Sequence, residues 1–246
     1  MSKKLVAIIV PCYNEEADIA SKTEFVFSYI KNIKDYDYEV VLVNDGSKDN
    51  TLEVINSIKN AKPVSYTPNH GKGHAVREGI RYAYEILNAD YAIFMDADLS
   101  TDLEAMHKCL PLLEEGYAIS AGSRYNKDSV FKVKQPLKRR FISKLSRIII
   151  GMMFHFKIKE TQCGFKGLNR EMMKLVISKS KMDGFSFDVE YFYLAKLHKL
   201  KYQTFGVIWT DDRGSTVMPL KTSTRVFKDL FRIKKNKKYY LDEENH

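Results

Sequence analysis

The sequence predicts an α/β fold with a mostly parallel sheet and helices on both faces, and three observations lead there. Short apolar, β-branched runs recur at 5–10, 39–43, 64–66, 91–95 and 118–121. Amphipathic segments of helix length follow the first four, at 16–31, 50–59, 73–87 and 102–114. Polar clusters fall where these runs end. Near-continuous apolar strands alternating with helices are the pattern of a parallel sheet buried on both faces, and such sheets bind ligands at the carboxyl ends of their strands.

The elements justify themselves in order. The run 5–10 has no polar alternation, so both of its faces must be covered, and it ends in Tyr13, Asn14, Glu15 and Glu16. Run 39–43 ends in Asn44, Asp45, Gly46 and Ser47. Before the third helix, Gly71-Lys-Gly73 reads as a helix-start turn, since it matches neither a Walker loop nor the dinucleotide fingerprint. His70 and His74 have a metal-like spacing, but the two glycines argue against one helix through both. Run 91–95 ends in Asp96-Ala-Asp98. Three polar loops therefore converge on one edge of the sheet.

Beyond Tyr125 the pattern changes. The segment 132–156 combines Lys132, Lys134, Lys138, Arg139, Arg140, Lys144 and Arg147 with apolar residues at helical offsets from Phe141 to Phe156. It has three readings: a core helix, a nucleic-acid site, or an interfacial helix that buries Phe, Ile and Met in lipid while its bases meet anionic headgroups. The polar junction 161–167 and another helix lead to Phe187-Asp-Val-Glu190, then to a strand near 202–209. A lysine-rich stretch closes the chain.

Composition narrows the classes. With 246 residues, one domain with a decorated C-terminal part is the expectation. The net charge of +9 hides an asymmetry: residues 1–125 hold 13 Lys+Arg against 19 Asp+Glu, or −6, and residues 126–246 hold 27 against 12, or +15. The halves face different partners. Cys12, Cys109 and Cys163 lack metal spacing and read as reduced thiols. The apolar start is too brief for a signal peptide and no run reaches the roughly 18 residues that span a bilayer, so a cytosolic protein with peripheral membrane contact is expected.

Asp96 and Asp98 carry the chemistry. Two carboxylates one residue apart can converge on one Mg²⁺ or Mn²⁺ if the strand breaks into a turn there, and such ions bind one or two carboxylates plus substrate phosphates. Asp-x-Asp can also be an ordinary turn; Asp45 at a neighbouring strand end favours the site.

The ordered motifs Val10-Pro-Cys-Tyr-Asn-Glu-Glu16, Val43-Asn-Asp-Gly-Ser-Lys-Asp-Asn-Thr51, Asn69-His-Gly-Lys-Gly73 and Asp96-Ala-Asp-Leu-Ser100 resemble family 2 glycosyltransferases. Gly122-Ser-Arg-Tyr125, Thr161-Gln-Cys-Gly-Phe-Lys166 and Phe187-Asp-Val-Glu190 extend the likeness, over about 5–215, to the polyprenyl-phosphate hexosyltransferases, such as dolichyl-phosphate glucosyltransferases and mannose synthases. The resemblance implies a GT-A (Rossmann-like) domain over 1–215, with a nucleotide-sugar half at 1–125, an acceptor half at 126–215 and a basic C-terminal extension at 216–246. It implies that Pro11, Tyr13, Glu15 and Asp45 hold base and ribose, that Asp96 and Asp98 frame the metal-bound diphosphate, that Arg213 lies near the donor phosphates, and that Arg124 lies near the acceptor phosphate.

The implied reaction moves a hexose with inversion, from UDP-glucose in preference to GDP-mannose, onto a polyprenyl phosphate at the cytosolic membrane face. A phosphate acceptor, with its second pKa near about 6, arrives ionised and needs no strong base. Asp188 and Glu190 then position, whereas a hydroxyl acceptor on a glycan or wall polymer would need one of them as base. Arg139, Arg140 and Lys144 are expected at the acceptor phosphate or the anionic membrane surface, and nucleic acid is not a partner. A catalytically silent membrane adaptor is the competing class, and intact Asp45, Asp96, Asp98 and Arg213 count against it. Oligomeric state is not legible.

Overall fold

The computed structural model of the protein describes residues 3–132, 137–210 and 219–242. The first half runs β1 (Lys4–Cys12), α1 (Ile19–Ile30), β2 (Tyr36–Asp45), α2 (Thr51–Ser57), β3 (Ala61–Tyr66) and α3 (Lys72–Arg81). A π-helical turn (Tyr82–Ile86) extends α3, and β4 (Tyr91–Met95), α4 (Ala105–Glu114) and β5 (Ile119–Ser123) follow. The second half runs β6 (Val130–Phe131), α5 (Leu137–Phe154), β7 (Phe165–Asn169), α6 (Arg170–Lys179) and α7 (Phe187–Leu197). It ends with β8 (Tyr202–Gly206), β9 (Ile208–Trp209), α8 (Pro219–Lys235) and α9 (Lys237–Leu241).

Among the described residues the main sheet has seven strands in the order β3-β2-β1-β4-β7-β5-β8, and β6 pairs with β9 in a separate ribbon. Every adjacent pair in the main sheet is parallel except the two that β7 makes, with β4 and with β5. Alternation along each strand divides the interior into two cores. Ala7, Ile9, Val41 and Val43 pack toward α3, α6 and α7, while Val6, Ile8, Val40 and Leu42 pack toward α1 and α4. That is why the strands read as unbroken apolar runs: both faces exclude water.

The expected strands and helices appear with ends shifted by a few residues. The junction 161–167, however, contains the start of a central strand. β7 inserts antiparallel between β4 and β5, and its Lys166 is fully buried. A lysine, two glycines and a polar start hid it, because its pairing depends on strands far away in sequence. Its end is readable locally: the Asn169 side chain accepts the Met172 N–H at 2.9 Å and caps α6.

The described part of the basic extension belongs to the body. Leu230, Ile233 and Tyr240 are buried in the core on the α7 side, and His198 Nε2 lies 2.8 Å from the Tyr240 carbonyl. Cys12, Cys109 and Cys163 are free and buried.

Candidate active site

Because β1, β2 and β4 run parallel, their carboxyl ends open on one side of the sheet, where a cleft of about 570 Å³ lies. Six residues expected from sequence line it: Pro11, Tyr13, Glu15, Asp45, Asp96 and Asp98. Lys72 and Phe185 join them.

Strand β4 breaks immediately after Met95. Leu99 adopts φ +53°, a left-handed conformation unfavourable for a branched side chain, and its N–H donates to the Asp96 carbonyl at 3.1 Å. The Asp98 carboxylate accepts the Ser100 N–H at 2.9 Å. This tight turn brings both carboxylates to the cleft. Gly164 backs it, because a Cβ there would sit 2.1 Å from an Asp96 carboxylate oxygen. The Thr161-Gln-Cys-Gly-Phe-Lys166 motif thus leaves room for Asp96.

Lys72 is ion-paired and hydrogen-bonded to Asp96. Burial alone would lower its pKa, but Asp96, with Asp188 and Asp98 behind it, outweighs burial and holds the ammonium above its ordinary value. Sequence reasoning missed this residue. The available signal was a lysine at the first position of α3, where the helix dipole disfavours a cation unless an anion holds it there. Gly71, at φ +108°, makes the turn that starts α3 there, and a Cβ on it would meet the Asp183 carbonyl at 2.7 Å.

Asp45 is buried, and its carboxylate accepts from Tyr66 Oη at 2.9 Å, Asn69 Nδ2 at 2.8 Å, His70 N at 2.9 Å and Gly71 N at 3.0 Å. It braces the wall of the cleft. Burial raises the Glu15 carboxyl, Lys22 opposes that, and Asp98 adds to it. Tyr13 keeps 42% of its surface open. His70 and His74 do not share a helix, since α3 starts between them; their rings lie 4.6 Å apart, and His74 Nδ1 is 2.9 Å from an Arg77 nitrogen.

Carboxylates in the second half are held internally. Asp188 lies 2.6 Å from the Lys166 ammonium, an ion pair inside the protein. Burial raises its pKa against the pull of Lys166 and Lys72. Glu190 is fully buried and accepts from Ser180 Oγ and Tyr240 Oη at 2.5 and 2.6 Å, and from the N–H groups of Lys181 and Met182 at 2.9 and 3.0 Å. A carboxylate so occupied is an anchor for the 180–182 loop and the carboxyl-terminal helix. Arg124 is also committed: its N–H and Nε bond Glu160 at 2.7 and 2.9 Å, and its terminal nitrogen pairs with the same carboxylate. Burial pulls its pKa down, but Glu160 more than compensates.

Lys144 is exposed on α5; Arg213 and the side chains of Arg139 and Arg140 lie outside the described residues. Among the described residues no cluster of three or more His, Cys, Asp or Glu is arranged to hold a metal. The pair Asp96 and Asp98 instead fits a hard cation that completes its shell with phosphate oxygens and water.

The sequence profile of glycosyl transferase family 2 matches residues 7–176, a span containing every element of the cleft except Phe185. The chain belongs to glycosyl transferase family 2. Among curated relatives, a dolichyl-phosphate beta-glucosyltransferase of Dictyostelium discoideum is 29% identical over 244 residues, covering 93% of this chain and 73% of that protein. A protein of the same description from Homo sapiens is 29% identical over 247 residues, covering 94% of this chain and 75% of that one. Among solved structures, glucosyl-3-phosphoglycerate synthase from Mycobacterium tuberculosis, in complex with Mn²⁺ and uridine-diphosphate-glucose, superposes with a TM-score of 0.68 at 16% identity. The match covers 95% of this chain and 79% of that one. The expected GT-A fold class thus stands.

Proposed function

We propose that the protein transfers a hexose, glucose from UDP-glucose, onto a polyprenyl phosphate with inversion. One observation carries the reading: the Asp96–Asp98 turn opens, beside Lys72, into a cleft whose size lies within the about 300–1,000 Å³ usual for small-molecule sites. The curated relatives named above supply the acceptor class and the β-linkage, and UDP-glucose is an α-glycoside, so a β-linked product requires inversion.

The residues then take these parts. Tyr13, with Pro11 beside it, offers an open ring to the nucleoside, and Asp45 and Glu15 form the polar wall around it. Asp96 and Asp98 would hold Mg²⁺ or Mn²⁺ together with the donor diphosphate, and that ion, when bound, supplies positive charge where the leaving group gains negative charge. Lys72 adds a cation in the same cleft. An oxygen of the acceptor phosphate attacks the anomeric carbon, the bond from that carbon to the diphosphate oxygen breaks, and UDP leaves with the electron pair. The nucleophile arrives as an anion, so Asp188 is a positioning group, consistent with its buried pairing to Lys166.

Peripheral docking on an anionic membrane completes the reading. Among the described residues no helix is long and apolar enough to cross a membrane. Exposed Leu145, Ile148 and Met152 form a stripe on α5, and exposed Phe227 and Phe231 form another on α8. Lys234 ties the helices together through the Met153 carbonyl. Lysines and arginines flank both stripes, as an interfacial surface requires.

The test offers a panel of nucleotide-sugars and a polyprenyl phosphate in anionic vesicles, with and without Mn²⁺ or Mg²⁺, and assays charged lipid. UDP-glucose should give product only with the ion present. Absence of lipid product from every donor, or full turnover in excess EDTA, rejects the reading.

A further inference from the structure

Two aromatic rings stand open in the cleft, Tyr13 from the loop after β1 and Phe185 from the loop that leads into α7. Phe185 keeps 45% of its surface exposed, although Met182, Ser186 and Phe187 around it are buried. A large apolar side chain left to water inside a ligand cleft marks where the apolar surface of a ligand rests.

The loop that carries this ring is fixed on both sides of it. On one side the Asp183 carbonyl accepts the N–H groups of Gly73 and His74 at 2.7 and 3.2 Å, at the start of α3, and the Asp183 carboxylate takes an Arg77 nitrogen at 2.6 Å. The two segments approach so closely that a Cβ on Gly73 would meet the Gly184 carbonyl at 2.8 Å. On the other side Ser186 Oγ donates to the Asp229 carboxylate of α8 at 3.2 Å. Between these anchors, Phe185 is the residue that lines the cleft. A ring presented on a braced loop loses little freedom when a ligand covers it.

Its neighbours identify the part of the donor that it meets. The start of α3, against which the loop is braced, carries Lys72, and Lys72 pairs with Asp96. Asp188, three positions beyond Phe185, is close enough to both for their charges to move its pKa. Phe185 therefore stands on the Lys72–Asp96 side of the cleft. A nucleotide-sugar with its base at Tyr13 and its diphosphate at Asp96 and Asp98 extends its hexose past the diphosphate, toward this side. A pyranose is amphipathic: its hydroxyls point outward around the ring, and its axial C–H bonds give it apolar faces. The polar side chains of the cleft suit the hydroxyls, and the electron-rich face of a phenyl ring suits the C–H bonds.

We propose that Phe185 binds the hexose of the donor through an apolar C–H face, and that Ser186, hydrogen-bonded to Asp229 of α8, holds the ring in place. This rests on the transferase reading above and names a hexose-binding residue for it. Phe185 is a binding residue; Ser186 and Asp229 are positioning residues.

The experiment separates the hexose from the nucleotide. Calorimetry measures the binding of UDP-glucose and of UDP, both with Mn²⁺ present, beside transfer to a polyprenyl phosphate in anionic vesicles. Phe185→Ala should weaken UDP-glucose binding about tenfold, as expected for loss of one aromatic contact. Its affinity for UDP should match wild type, which also certifies the fold. Phe185→Tyr keeps the ring face and should bind like wild type. Phe185→Leu keeps part of the apolar area and should lose about threefold for UDP-glucose alone, which decides the matter where the alanine variant unfolds. Ser186→Ala and Asp229→Ala should raise the KM for UDP-glucose about threefold with little change in kcat or in UDP affinity. Asp229→Asn retains an acceptor for Ser186 and should restore the wild-type KM. If wild type transfers glucose, and Phe185→Ala leaves the affinity and KM for UDP-glucose unchanged, this inference falls and the transferase reading survives. If Phe185→Ala and Phe185→Leu weaken UDP as much as UDP-glucose, the ring serves the nucleotide and the hexose assignment falls. If wild type binds no UDP-glucose, the donor of the transferase reading falls, and this inference with it.

Discussion

The two halves of the sheet use their charged residues differently. At the ends of β1, β2 and β4, Glu15, Asp96 and Asp98 reach the cleft, and only Asp45 is drawn fully into bracing its walls. Around β5, β7 and α7, the motif charges are consumed inside the protein: Arg124 by Glu160, Lys166 by Asp188, and Glu190 by four internal donors. A motif carboxylate in the first region lines the cleft, whereas a motif charge in the second is balanced or capped by internal partners.

That contrast is broken most directly by comparing Asp98 with Glu190. Asp98→Ala should lower transfer by about 10³-fold or more, since the lost cation contact is several kcal/mol of transition-state stabilisation. Its unfolding midpoint in urea should match wild type. A variant retaining even a tenth of wild-type turnover would place the chemistry elsewhere.

Glu190→Ala should behave in the opposite way. It leaves two backbone N–H groups and two hydroxyls without their acceptor in the interior, and each buried unsatisfied group costs about 1–3 kcal/mol. A drop in unfolding free energy of about 3 kcal/mol or more is expected, together with looser packing of Tyr240. If urea denaturation shows unchanged stability while turnover disappears, Glu190 is a chemical residue after all and the contrast fails.

The exposed apolar stripes of α5 and α8 sharpen the comparison further, because both lie in the second half. Burying one large apolar side chain contributes about 1.5–3 kcal/mol. The double variant Met152→Ser, Phe231→Ser should therefore reduce partition onto anionic vesicles by at least about tenfold, with UDP-glucose affinity unchanged. Equal co-sedimentation of variant and wild type would show that these side chains do not enter lipid.

The smallest effect belongs to His74, in the first half. Burial, followed by the charge of Arg77, depresses its pKa below the ordinary 6.5. In the folded state it therefore binds fewer protons than in the unfolded state over the interval just below pH 6.5, so stability falls as pH drops through that interval. Below the folded pKa the difference stays constant. His74→Gln should flatten this slope in urea titrations between pH 5 and 7. An identical slope in wild type and variant would mean that the imidazole titrates alike in both states.

What the sequence determined by itself is the run of parallel strands in the first half and the polar loops at their ends. A strand buried on both faces must be apolar throughout, so the parallel strands announce themselves. A polar cluster at the end of such a strand has one place to go, the edge of the sheet where the chain turns, so Asp96 and Asp98 could be placed at that edge, where they line the cleft, before any contact was known. The tertiary structure alone decided the rest. Lys166 reads as a surface lysine until Asp188, 22 positions later, is brought to within 2.6 Å of it by β7 inserting between β4 and β5. Glu160 has no local pattern, yet it neutralises Arg124. The lysine-rich end looks solvated, yet Leu230, Ile233 and Tyr240 are in the core. The physical reason is common to all three. Apolar periodicity is a local property of the chain, whereas a charge's role depends on its counter-charge, and a buried charge takes that partner from wherever the fold supplies one.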